Sequence, residues 1–295
     1  MLTARTDLAM ESHRLWQENA ENTTQLRGVR AREEVVEGFP LHRVEILDNE
    51  GEKALGKPRG SYLTLDISTF WHKNGDNFAR TVSAFSTQLA AFLPEEGTVF
   101  VAGLGNISMT PDALGPQTVS SLLVTRHLGD ILPMLRPVAA LSAGVLGTTG
   151  IEAAEWVRGV SRRVKPAAVI LVDALAAREL NRVCNTIQLS DTGLIPGSGV
   201  GNHRMALNRE TLGVPVISVG IPTVVDVATI TRDILTEAGR EAEEPGCLRG
   251  MAKSFFVTPD SIDQKIRELG KLLGYGISMA LQPGLEMEDL VGLME

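Results

Sequence analysis

The chain has 295 residues, enough to bury one large core, and with aromatics at only 4% that core must be filled by Val, Ile, Leu and Ala. A net charge of -8 argues against a nucleic-acid surface, which needs clustered Lys and Arg, although the run from Arg27 to Arg32 is locally basic. Two cysteines, Cys184 and Cys247, suggest neither a disulfide framework nor a thiolate zinc cluster; with no signal-peptide core at the start and no run of membrane-span length, a cytoplasmic protein is expected.

Residues 1–26 are polar and read as an N-terminal arm with little core-forming surface. Between Arg27 and Leu65 short alternating runs at 29–36, 41–47 and 61–65 are separated by turn signals at 38–40, 48–51 and 57–60, which predicts a small antiparallel β excursion. A helix is predicted over 78–93, with Val82, Phe85, Leu89 and Phe92 on one face. The run 97–102 then reads as a strand buried on both faces.

That strand runs into the turn Gly103-Leu104-Gly105-Asn106, followed by Thr110-Pro111-Asp112 and a helix predicted from Pro116 to His127. The glycines raise a dinucleotide site, but the third glycine such a fingerprint needs is Ser108 here, and Asp112 puts negative charge where a pyrophosphate would sit. A structural role for Asp112, as a cap of the following helix, is an equally simple reading. Further on, 136–141 reads as a strand leading into the glycine-rich turn 144–150 and a helix ending near Val164. The run 167–172 is the clearest buried strand, and Asp173 is expected at its carboxyl end.

A strand at 185–189 is followed by the loop 190–202, in which Gly197 and Gly199 permit close backbone approach to a ligand. The run 214–220 is another buried strand leading towards Asp226, and residues 237–250 read as an exposed loop. A last long helix is expected with Thr258 as N-cap and Pro259 at its first position; Ile262, Ile266, Leu269, Leu273 and Ile277 form its apolar face, and Gly270 and Gly274 allow close packing. The alternation predicts an α/β protein: a three-layer αβα arrangement around a mostly parallel central sheet, with the antiparallel excursion near the N-terminus.

Asp112 and Asp173, each following a strand, could meet over one crevice. Two close carboxylates do not both ionise easily, so one can activate water while the other protonates a leaving group. As a metal site the pair would be incomplete without further ligands. A serine triad of Ser142, Asp173 or Asp191, and His203 can also be written, but such combinations arise by chance in a chain of this length.

The residues Arg5-Thr6-Asp7-Leu8-Ala9, the stretches 103–106 and 110–116, Thr125-Arg126-His127-Leu128, and the stretches 173–178, 190–193, 196–202 and 220–226 together resemble the germination protease family of spore-forming bacteria, over most of the chain. The resemblance implies a homotetrameric endopeptidase of the spore core that degrades small acid-soluble spore proteins and needs no cofactor. It implies Asp112 and Asp173 as the catalytic pair and a fold shared with hydrogenase-maturation endopeptidases, whose nickel-binding positions look equivalent to these two. Gly103, Gly105, Asn106, Gly197 and Gly199 are candidate substrate-binding or oxyanion groups. Members of the family are zymogens, and here Glu11-Ser12 matches the junction, making residues 1–11 a propeptide and 12–295 a single catalytic domain with its β-rich excursion at 27–65. Two alternatives stay open at this point, a metal-recognising maturation endopeptidase and a non-catalytic scaffold that binds spore proteins.

Overall fold

The computed structural model describes residues 6–19, 26–72, 76–197, 205–239 and 255–294. The strands among them are β1 (Val29–Val36), β2 (Phe39–Ile46), β3 (Gly60–Asp66), β4 (Val99–Gly103), β5 (Val138–Ser142), β6 (Ala168–Ala177), β7 (Thr186–Ser190), β8 (Val216–Asp226) and β9 (Phe256–Val257). They join into one sheet in the order β1-β2-β3-β7-β8-β6-β4-β5, with β9 pairing the far end of β8. Strands β8, β6, β4 and β5 run parallel, and β1, β2, β3, β7 and β8 pair antiparallel.

The antiparallel excursion therefore does not stand apart from the parallel core. Pairing of β3 with β7, from Tyr62 opposite Ser190 to Asp66 opposite Thr186, continues the sheet. The turn signal at 48–51 is also more than a turn, because it starts the helix α2 (Asn49–Leu55). Asp48 caps it by accepting from Glu50 N and Gly51 N, and Gly56 closes it in the left-handed conformation at φ 64°.

Helices cover both faces. On one side lie α3 (Asn77–Ala90), α4 (Leu114–Ser120) and the long α9 (Ile262–Leu281), followed by α10 (Met287–Met294). All five residues of the expected α9 stripe are buried, and Gly270 and Gly274 bring α9 against Gln117, Thr118 and Ser121 at α4, so the close packing is within the chain. The helix starts three residues later than Thr258 and Pro259 suggest. The Thr258 hydroxyl donates to Thr223 O, and the N-cap position falls to Ser261. Helix α4 is likewise shorter than expected, giving way after Ser120 to a separate 3-10 turn at Arg126–Leu128.

On the other face α6 (Ala153–Val164) covers the parallel strands through Val157, Ala153 and Ala154, flanked by α5 (Leu146–Thr149) and α7 (Arg209–Leu212). Helix α8 (Val227–Glu237) follows β8 directly and is capped by Asp226, which accepts from Thr229 N at 2.6 Å. The N-terminal arm proves to be the docked helix α1 (Ala9–Asn19), with Leu8, Ala9, Met10 and Glu11 all buried. Two apolar side chains anchor it in separate clusters, Leu8 in the main core and Ala9 in a smaller one with Val44, Ile46 and Tyr62. No helix among the described residues is long and apolar enough to cross a membrane.

Candidate active site

Asp112 is placed by a run of close backbone approaches. Gly103 and Gly115 let the start of α4 touch β4, since a Cβ on Gly103 would meet Gly115 O and one on Gly115 would meet the Leu104 backbone and Val172 O. Gly105 has φ 114°, a conformation that disfavours any side chain, and a Cβ there would strike Asp112 O. The turn then folds onto the carboxylate: Asn106 N donates to Asp112 Oδ2 at 2.8 Å, and Asp112 N donates to Met109 O at 2.8 Å. Asp112 closes a 3-10 turn rather than capping α4, whose N-cap position is Ala113.

Asp173 is not the last residue of its strand, as the sequence suggested, because β6 continues to Ala177 alongside β8. Its exposure to a crevice comes from its neighbour instead. Strand β4 stops at Gly103, level with Val172, so one edge of β6 opens at Asp173. The side chain is 8% exposed and its Oδ1 accepts from Ala174 N at 2.9 Å.

Both aspartates line one cavity of about 530 Å³, together with Gly105, Asn106, Gly197 and Asp7. The cavity lies at the carboxyl ends of the parallel strands, where open α/β sheets hold ligands. Of the other candidates, Gly103 lies one residue short of the lining and serves packing. Gly199 and His203 lie outside the described residues. Ser142 ends the edge strand β5, exposed and away from the cavity lining, and Asp191 Oδ1 accepts from Ser61 N at 2.8 Å, which ties it to β3. Among the described residues no three His, Cys, Asp or Glu side chains form a group that could hold a metal ion.

The residue that sequence reasoning passed over is Asp7. Asp7 N donates to Ala176 O at 2.9 Å and Asp7 Oδ2 accepts from Ala176 N at 2.8 Å, so the segment before α1 is laid against the continuation of β6. One turn later Glu11 accepts from Arg178 N at 2.8 Å, from Glu179 N at 2.9 Å and from the Thr6 hydroxyl, and is 1% exposed. Burial, the largest influence, raises the Glu11 carboxyl above its usual range although all three hydrogen bonds act to lower it. Ser12 is inside α1, with its N–H on Leu8 O. The Glu11–Ser12 peptide is thus helical and outside the cavity lining, while Asp7 is on it. The signal in sequence was the Asp7 carboxylate within the stretch 5–9, whose position gave no hint that it reaches the crevice.

Residues 5–246 match the signature of the family described as Germination protease. A germination protease from Clostridium perfringens is 42% identical over 323 aligned positions, covering 98% of each chain. One from Caldanaerobacter subterraneus subsp. tengcongensis is 42% identical over 326 positions, covering 100% of this chain and 99% of the relative. Among solved structures, a NiFe hydrogenase maturation protease from Thermococcus kodakarensis aligns with a TM-score of 0.36 at 18% identity, over 64% of this chain and 98% of its own.

Proposed function

We propose, on the premise that the chain belongs to the germination protease family, that it is an endopeptidase that begins the breakdown of small acid-soluble spore proteins by activating water between Asp112 and Asp173. The observation that carries this reading is the convergence of the two carboxylates, one from the turn after β4 and one from β6, on a single cavity. In the working state one carboxylate takes a proton from water as the water oxygen attacks the peptide carbonyl carbon. The other, protonated, gives its proton to the departing amide nitrogen, and the pair is restored by one proton shift between them. Asn106 N holds Asp112 in place for this exchange.

The docked N-terminal segment supports synthesis as a zymogen, with the cleft occupied until the segment is cut. The family resemblance implies a cut at Glu11–Ser12, which would require the first turn of α1 to unwind and Glu11 to leave its three donors. The geometry favours Asp7–Leu8, the peptide bond that begins at the cavity. Intact mass after activation separates the two, through loss of residues 1–7 or of residues 1–11. Action in the spore core as a homotetramer, without a cofactor, completes the reading.

The test is hydrolysis of a purified small acid-soluble spore protein. Asp112→Asn and Asp173→Asn are each expected to lower the rate by about 10²- to 10⁴-fold, the range for removing a general acid or base, with folding intact by circular dichroism. Either variant cutting at the wild-type rate would remove that residue from the mechanism. Wild-type protein that binds the substrate without cutting it would leave the scaffold reading in its place.

A further inference from the structure

The Asp7 carbonyl is held by two side chains from distant parts of the chain. Lys57 Nζ donates to Asp7 O at 2.9 Å, and Gln188 Nε2 donates to the same oxygen at 2.9 Å. Gln188 Oε1 meanwhile accepts from Ala9 N at 2.7 Å, so one amide grips the chain on both sides of the Asp7–Leu8 bond. That double contact also fixes the orientation of the amide, because a flipped group would oppose donor to donor and acceptor to acceptor.

The sheet register explains how Gln188 comes to be here. Gln188 on β7 pairs with Gly220 on β8, and Gly220 pairs with Asp173 on β6. Residues directly opposite one another share a face, so Gln188 and Asp173 project from the same side of the sheet, two strands or roughly 10 Å apart. The residue between them has no side chain. Lys57, just after α2, reaches the same carbonyl from the antiparallel half and also touches Thr6 O at 3.5 Å.

We propose that Lys57 and Gln188 are the donor pair that stabilises the oxyanion formed at the Asp7 carbonyl during self-cleavage, and at the corresponding carbonyl of a substrate once the segment has left. This deepens the reading of Asp112 and Asp173 as the water-activating pair and rests on it. When water adds to the carbonyl carbon, the C=O π pair moves onto oxygen, where an ammonium and an amide N–H already point. The pair then returns to re-form C=O as the C–N bond breaks, Leu8 leaves as a free amine with the proton given by the carboxyl group, and the water supplies the new acid oxygen of Asp7. Donors fixed in a water-poor site before the reaction need no reorganisation, which is why one such donor is worth about 10²- to 10³-fold in rate. Enclosure lowers the Lys57 ammonium from its usual range, against the raising effect of Asp7 and Glu11. An acidified ammonium is the stronger hydrogen-bond donor to a developing negative charge.

The experiment compares full-length wild type, Lys57→Ala, Gln188→Leu and Asp112→Asn. It follows the appearance of a new N-terminus at Leu8 by mass spectrometry and, for processed protein, the kcat and KM for a synthetic peptide of residues 1–14. Both donor variants are expected to process about 10²- to 10³-fold more slowly. On the peptide they should lose kcat with little change in KM, and added ethylammonium should restore kcat to Lys57→Ala alone. Processing of both variants at the wild-type rate, or a rise in KM with kcat unchanged, would overturn the proposal and leave the two residues as docking contacts. If Lys57→Ala fails to unfold cooperatively, Gln188→Leu decides by the same readout. A wild type that cuts neither itself nor the peptide would fail the Asp112 and Asp173 reading, an outcome separate from active wild type with unaffected donor variants.

Discussion

Glu11 shows how a single buried carboxylate couples the N-terminal segment to pH. Its folded pKa is raised by burial, so the folded state holds the proton more tightly than the unfolded chain. The stabilisation is full below the unfolded value of 4.5 and is lost as pH rises through the higher folded value. Docking of α1 should therefore tighten on mild acidification from neutral pH, with the gain levelling off once the unfolded carboxyl also protonates. Proteolytic resistance of the bonds in α1, measured against pH, should show this trend, and Glu11→Gln should flatten it. Cys184 gives a second prediction at this scale. Its thiol is fully buried, and burial pushes its pKa up to about 11, so in a Cys247→Ser background the native protein should react with a thiol reagent at pH 8 far more slowly than the urea-unfolded chain. Equal rates would mean that the site opens readily.

At the scale of elements, glycines decide how closely α4 approaches the sheet and α9 approaches α4. A methyl group on Gly274 would meet the backbone carbonyl of Ser121, whereas one on Gly159, in the middle of α6, would meet nothing within 4 Å. Gly274→Ala is expected to destabilise by about 1–3 kcal/mol through overpacking, and Gly159→Ala to stabilise by about 0.5–1 kcal/mol by reducing the freedom of the unfolded chain. Urea midpoints of the two variants, bracketing the wild type, would check both signs. Buried strands and the α9 stripe were legible because each pattern is local. Asp48 as a helix cap was not, since Asp48 to Gly51 carries the same residue types that a hairpin turn uses. The length of β6 was missed for a related reason: Asp173, polar and buried, looked like a strand end, but pairing with β8 carries the strand four residues further.

For the whole molecule, the joining of β3 to β7 turns two half-sheets into one and brings residues from sequence positions 57, 112, 173 and 188 to the segment around Asp7. Assembly is a property of the same scale. The homotetramer is expected to appear in light scattering at four times the chain mass of 31.7 kDa, and a mass of one chain in fully active protein would show that the cleft works without a neighbour. The sequence by itself determined the family and the alternating α/β order, and it singled out Asp112 and Asp173 for the proposal, because motifs and buried runs are written in neighbouring residues. Only the tertiary structure decided that the N-terminal arm is a docked helix, that Asp7 reaches the cavity where Glu11–Ser12 does not, and that Lys57 and Gln188 meet on one carbonyl. Those facts depend on contacts between segments more than a hundred residues apart, such as β3 with β7 and Asp7 with Ala176, and no local pattern encodes where such segments will lie.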